Sequence, residues 1–169
     1  MKAHISALLC AAILTVTLTA CGSVVRPEND RTLQVVATIF PVYDWVRQIV
    51  GNSEADIEVT QLLDSRVDMH SYQPTAEDMV KISTCDMFLY LGGESDDWVQ
   101  EALAGSKNPN RIVINLMDVL GDAVKEEETI EGMQEDEDEA EEGPESDEHI
   151  WLSLRNAVTL CRYISGKLV

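Results

Sequence analysis

Short apolar runs alternate along the chain with segments whose apolar residues recur at helical spacing. Leu33-Gln34-Val35-Val36-Ala37-Thr38 reads as a buried strand. Pro41 follows at a first-turn position, where its missing N–H leaves no bond unmade. Val42, Trp45, Val46, Ile49 and Val50 then recur at helical spacing as far as Gly51. Residues 57–63 predict a second strand. Thr75 with Asp78 three residues on has the form of a capping box and starts a second helix. Residues 87–91 predict a third strand, stopped by Gly92-Gly93; residues 98–103 a short helix; residues 111–116 a fourth strand. From about Ser153, Leu154, Ala157, Val158, Cys161, Ile164 and Leu168 predict one apolar stripe on a final helix. Such alternation implies one α/β lobe, with a four-stranded, mostly parallel sheet and helices on both faces.

The first 20 residues do not share this pattern. Lys2 supplies a positive start, and residues 7–18 are apolar apart from Thr15 and Thr17. That stretch is too short for a bilayer span and fits a signal-peptide core. It ends in Leu18-Thr19-Ala20-Cys21, which resembles the lipobox of bacterial lipoproteins. The resemblance implies that Cys21 is lipidated and tethers the chain to the outer face of a membrane. Residues 1–20 are then a signal peptide, 21–32 a tether and 33–169 the lobe. Cys85 and Cys161 sit in apolar surroundings and are expected as free thiols.

Charge changes the picture in one place. The chain carries 31 Asp+Glu against 12 Lys+Arg, a formal net charge of −19. Residues 126–148 hold 14 of those acids and no Lys or Arg, so the rest of the chain carries only −5. The balance excludes a nucleic-acid binder and argues against docking on anionic lipid by charge alone. The insert 126–148 reads as a solvated, disordered acidic loop. A second reading makes it a weak collector of cations.

Two histidines, His70 and His149, lie in the predicted lobe, each in a loop just ahead of a predicted helix. In open α/β sheets such loops gather at the carboxyl ends of the strands, where ligands bind. Each histidine follows an aspartate by two positions, Asp68 and Asp147. A carboxylate there could hold the tautomer of a ligating imidazole through its second nitrogen. Two neutral imidazoles with oxygen donors suit Zn²⁺ or Mn²⁺. Glu94, Asp96 and Asp97 read as a polar helix start, and Asp64, Glu77 and Asp78 as surface or cap residues. Tyr43, Trp45, Trp98 and Trp151 read as core or cleft-wall aromatics.

The words around these residues narrow the reading. They are Ala37-Thr38-Ile39-Phe40-Pro41-Val42-Tyr43-Asp44, Asp68-Met69-His70-Ser71-Tyr72-Gln73-Pro74-Thr75, Tyr90-Leu91-Gly92-Gly93-Glu94-Ser95-Asp96 and Glu148-His149-Ile150-Trp151-Leu152-Ser153. In this order they resemble the zinc/manganese-binding receptors of bacterial ABC importers, the cluster A-I solute-binding lipoproteins. The resemblance implies a Rossmann-like lobe matching the N-terminal half of a two-lobed receptor, with the C-terminal lobe absent from this chain. It implies His70 and His149 as metal ligands, Zn²⁺ as cargo with Mn²⁺ second, and no covalent chemistry. It also implies an ABC permease as partner and an extracytoplasmic, lipid-anchored location. Family members usually have proline where Met69 and Glu148 stand, and zinc-type members often have a histidine-rich loop where this chain has its acidic insert. Two rival readings are a metal-dependent hydrolase and an acidic surface lipoprotein serving adhesion or interaction without metal.

Overall fold

The computed structural model describes residues 32–51, 56–63, 66–126 and 146–168. The predicted signal peptide, Cys21, nearly all of the tether, and residues 127–145 of the acidic insert lie outside the described residues. Thr32–Val169 form one unit by themselves.

Four strands form one parallel sheet in the order β2-β1-β3-β4. They are β1 (Leu33–Ala37), β2 (Ile57–Gln61), β3 (Met87–Tyr90) and β4 (Ile112–Asn115). Each ends one or two residues before its apolar run does. β1 is central, with Val35 opposite Val59 on one side and Met87 on the other. Its residues alternate between two cores, as a strand's two-residue period requires. Val35 and Ala37 join Met87, Leu89 and Ile114 on one face, while Val36 and Phe88 lie on the other.

The first face is covered by α1 (Phe40–Val50) through Val42 and Val46, and by α5 (Leu154–Leu168) through Leu160 and Ile164. The second is covered by α2 (Ala76–Thr84) through Ile82 and by α3 (Val99–Ala104) through Val99 and Ala102. The α/β lobe with helices on both faces is the arrangement the alternation implied. α1 carries Pro41 in its first turn and ends at Gly51, where φ is 51°. α2 begins at the predicted capping box, in which Thr75 accepts from the Asp78 N–H and Asp78 accepts from the Thr75 N–H. Tyr72 also donates to Asp78, at 3.1 Å. Burial pushes the Asp78 carboxyl up, but the bonds from Thr75 and Tyr72 and the nearby Lys81 leave it below its ordinary value. Cys85 is buried and Cys161 half-buried, and both are free thiols. Burial pushes the Cys85 thiol up to about 11.

Two expectations need correction. α4 (Leu116–Leu120) had no counterpart in the sequence pattern, because β4 runs into it without a turn. Asn115 ends the strand and also caps the helix, accepting from the Asp118 N–H at 3.2 Å. The stripe expected on the last helix also has a different centre. Leu154 is 84% exposed and Val158 50%, whereas Leu160, absent from that stripe, is fully buried with Ile164. Ala157, Cys161 and Leu168 flank the buried line.

Candidate metal centre

The strand order places a topological switch between β1 and β3. The chain leaves β1 for β2 on one side and returns to β3 on the other, opening a crevice at their carboxyl ends. The loop after β2 carries His70, and the turn after β3 carries Gly92, Gly93 and Ser95. A cavity of about 620 Å³ lies here, lined by both histidines and by Glu94, Asp97, Asp118 and Glu148. Four carboxylates beside two imidazoles make this wall suited to a cation.

The His70 and His149 rings stand 5.8 Å apart, centroid to centroid, although 79 positions separate them in the chain. Local bonds hold each one. Asp68 accepts from the His70 backbone N–H at 2.9 Å, folding Met69–Ser71 into a 3₁₀ turn. Asp147 accepts from the His149 backbone N–H at 2.8 Å, and a second 3₁₀ turn, Ile150–Leu152, leads into α5. The Asp147 N–H in turn donates to the Lys125 carbonyl at 2.8 Å, and Glu126 bridges to Ser146. The two ends of the acidic insert are therefore tied together beside the cavity. Trp151 packs its ring 5.2 Å from that of His149 and against the core, the first of its two expected places.

The groups behind the imidazoles differ from the expected pair. Asp147 Oδ1 lies 3.1 Å from His149 Nδ1, in position to accept from it and leave Nε2 for a metal. Asp68, the corresponding expectation for His70, binds the backbone instead. Ser95 Oγ occupies the place behind that ring, 2.9 Å from Nδ1. Ser95 is itself fixed from two directions: its N–H donates to Glu148 Oε1 at 2.9 Å, and its carbonyl accepts from Trp98 Nε1 at 3.1 Å. Sequence reasoning gave neither Ser95 nor Glu148 a role beside the imidazoles. A serine in a Gly-Gly-x-Ser turn carries no local sign of its target 25 positions away.

Glu148 and Asp96 also depart from their expected roles. Glu148 belongs to the insert read as solvated, yet it is only 7% exposed. Asp96 does more than begin a helix: its carboxylate folds back to accept from the Leu91 and Gly92 N–H groups at 2.9 and 3.0 Å. Burial pushes Asp96 up to about 6, against those two hydrogen bonds and with the charge of Glu148 adding to the rise. The glycines make this turn possible. Gly92 has φ 93° and lies against the Asn115 side chain. Gly93 has φ 82° and ψ −171°, a conformation essentially reserved for glycine, and lies against the Glu148 side chain.

Among the described residues, no group of three or more His, Cys, Asp or Glu side chains is arranged to hold a metal ion. Two imidazoles alone do not fill zinc's usual four positions. Among the described residues, no helix is long and apolar enough to cross a membrane.

Residues 35–169 match the family model of the zinc-uptake complex component A, periplasmic (ZnuA). The zinc-binding lipoprotein AdcA of Streptococcus pneumoniae is 32% identical over 166 residues, covering 95% of this chain and 31% of that protein. The structure of the Zn(II)-bound ZnuA-like domain of S. pneumoniae AdcA superposes with a TM-score of 0.58 at 25% identity, covering 82% of this chain and 44% of that one. The Pseudomonas aeruginosa solute-binding protein FpvC, solved in complex with Mn²⁺, superposes with a TM-score of 0.62 at 25% identity, covering 82% and 46%. The chain thus spans about a third of AdcA and a little under half of each of these two solved chains. With its sheet order, its paired histidine loops and a family match over four-fifths of its length, the chain belongs to the ZnuA family of periplasmic zinc-uptake components.

Proposed function

We propose that this chain carries the first-lobe half of an extracytoplasmic receptor that captures Zn²⁺, and secondarily Mn²⁺, for delivery to an ABC permease. The juxtaposition of His70 and His149, 5.8 Å apart on an acid-lined cavity, carries the reading. The recorded hydrogen bonds engage Nδ1 of each ring, so Nε2 is the nitrogen offered to the cation. Asp147 supports His149 from behind. The mixed nitrogen and oxygen surroundings suit Zn²⁺ and tolerate Mn²⁺. The relatives' names and titles supply the same metals for those proteins.

The mechanism is binding and release without a covalent step. Neutral imidazole is the ligand, so protons compete with the cation and acidification favours release. Cys21 carries the lipid that keeps the receptor at the membrane beside its permease. Nothing in the geometry favours the adhesion reading.

The test is zinc titration of the full chain by calorimetry, with His70→Ala and His149→Ala beside it. Each substitution removes a ligand and is expected to weaken binding about 100-fold or more, beyond the 10–100-fold typical of losing a supporting group. Binding within twofold of the parent in either variant would place the metal elsewhere and overturn the proposal.

A further inference from the structure

The acidic wall contains one carboxylate whose placement neither the family resemblance nor the ligand count explains. Glu148 is 7% exposed, and its two oxygens have different fates. Oε1 accepts from the Ser95 N–H at 2.9 Å. Oε2 is buried with no hydrogen-bond partner among the described residues, 3.9 Å from His70 Nδ1. A buried, unpaired carboxylate oxygen is costly, so its position beside an imidazole calls for a reason. The His70 side chain is 56% exposed and lightly held, whereas the carboxylate is fixed.

We propose that Glu148 is a positioning residue for His70: with Ser95, it holds the proton on Nδ1 so that Nε2 keeps its lone pair for the cation. This rests on the metal-capture reading of the site. A neutral imidazole has two tautomers, and only the one protonated at Nδ1 can bind metal through Nε2. The Ser95 hydroxyl, 2.9 Å from Nδ1, can either donate or accept, so by itself it does not choose between them. A fixed negative oxygen on the same side of the ring does choose. It attracts the positive end of an Nδ1–H bond and repels the lone pair that would stand there in the other tautomer. Ser95 Oγ then accepts from Nδ1.

The neighbouring imidazole shows the same chemistry in direct form, with Asp147 Oδ1 3.1 Å from His149 Nδ1. Consecutive acids therefore serve the two rings, Asp147 directly and Glu148 with Ser95 between. The role expected of Asp68 passes to Glu148, because Asp68 is engaged with the backbone. Gly93 belongs to the same device, since a side chain there would occupy the space that Glu148 fills.

The experiment is long-range ¹H–¹⁵N correlation NMR of the histidine rings in the metal-free full chain, at about pH 8, above the ordinary imidazole range. Glu148→Gln keeps the shape of the side chain and an acceptor for the Ser95 N–H while removing the charge. The parent is expected to show His70 mainly as the Nδ1–H tautomer. In Glu148→Gln, His70 shifts toward Nε2–H while His149, backed by Asp147, stays unchanged and reports an intact fold. Ser95→Ala provides a second route to the same shift. Zinc affinity in Glu148→Gln falls about 10- to 100-fold. His70 mainly as Nε2–H in the parent, or an unmoved His70 tautomer in Glu148→Gln, overturns the proposal. A tautomer shift in a chain that binds no zinc upholds the positioning role and sinks the metal-capture reading. Zinc binding with an unmoved tautomer does the reverse.

Discussion

Gly93→Ala tests the turn that joins the two halves of the site. Gly93 sits at φ 82° and ψ −171°, where an L-residue is strained by roughly 1–3 kcal/mol. A Cβ built there collides with Glu148 Oε1 and lies 2.7 Å from that side chain's Cγ and Cδ. Glu148 is buried and bonded to Ser95, so relief requires it to leave, with loss of a charge-assisted hydrogen bond of about 1.5–3 kcal/mol. The two effects together predict destabilisation of about 2.5–6 kcal/mol. A double-mutant cycle with Glu148→Ala separates them. In the Glu148→Ala background the collision is gone and only the backbone strain remains, so the cost of Gly93→Ala drops to about 1–3 kcal/mol. Urea unfolding followed by tryptophan fluorescence reads all four proteins. The same cost in both backgrounds would show that Gly93 and Glu148 are not in contact. A cost under about 0.5 kcal/mol in the parent, the range of an indifferent surface substitution, would show that the turn is not in this conformation.

Asp96 predicts a pH effect of opposite sign to that of an ordinary paired carboxylate. Its folded value of about 6 lies above the unfolded 3.8, so the folded chain binds the extra proton, and this group's stabilisation is complete below pH 4 and lost as pH rises through 6. The full swing is about 3 kcal/mol. Asp96→Asn removes it, so the variant gains on the parent between pH 4 and 7 in urea unfolding; a difference that does not change with pH would refute the assignment. The phase of α5 gives a further test by the same unfolding measurement. Leu160→Ala, at a fully buried position, is expected to cost about 2–5 kcal/mol, and Leu154→Ala, 84% exposed, less than about 0.5. Equal costs would restore the stripe expected from sequence.

Much of the fold was legible because its signals are local. Strand runs of apolar residues, Pro41 in a first turn, Gly51 at a helix end and the Thr75/Asp78 box each act within a few positions, and each stands where it was expected. The failures occurred where local signals were ambiguous or absent. The last helix has apolar residues on two overlapping lines, 154-158-161 and 157-160-164-168. Periodicity fits both, and only the position of the sheet and α1 decides that the second faces inward. α4 is too short for its period to show, and its cap doubles as the end of a strand.

The site divides in the same way. The bonds of Asp68 to His70 and of Asp147 to His149 each span two residues, and proximity in sequence suggested both partners. It did not show which atom each aspartate would meet, and the two differ: one binds backbone, the other backbone and ring. The pairing of His70 with His149, and of Ser95 and Glu148 with His70, depends on strand order. Loops from opposite sides of β1 converge only because β2 and β3 flank it. Glu148 shows the limit most clearly. Fourteen acids in residues 126–148 look alike by composition, and solvation is the sound expectation for any one of them. What distinguishes this one is a glycine 55 positions earlier, whose missing side chain leaves the space that Glu148 occupies beside His70.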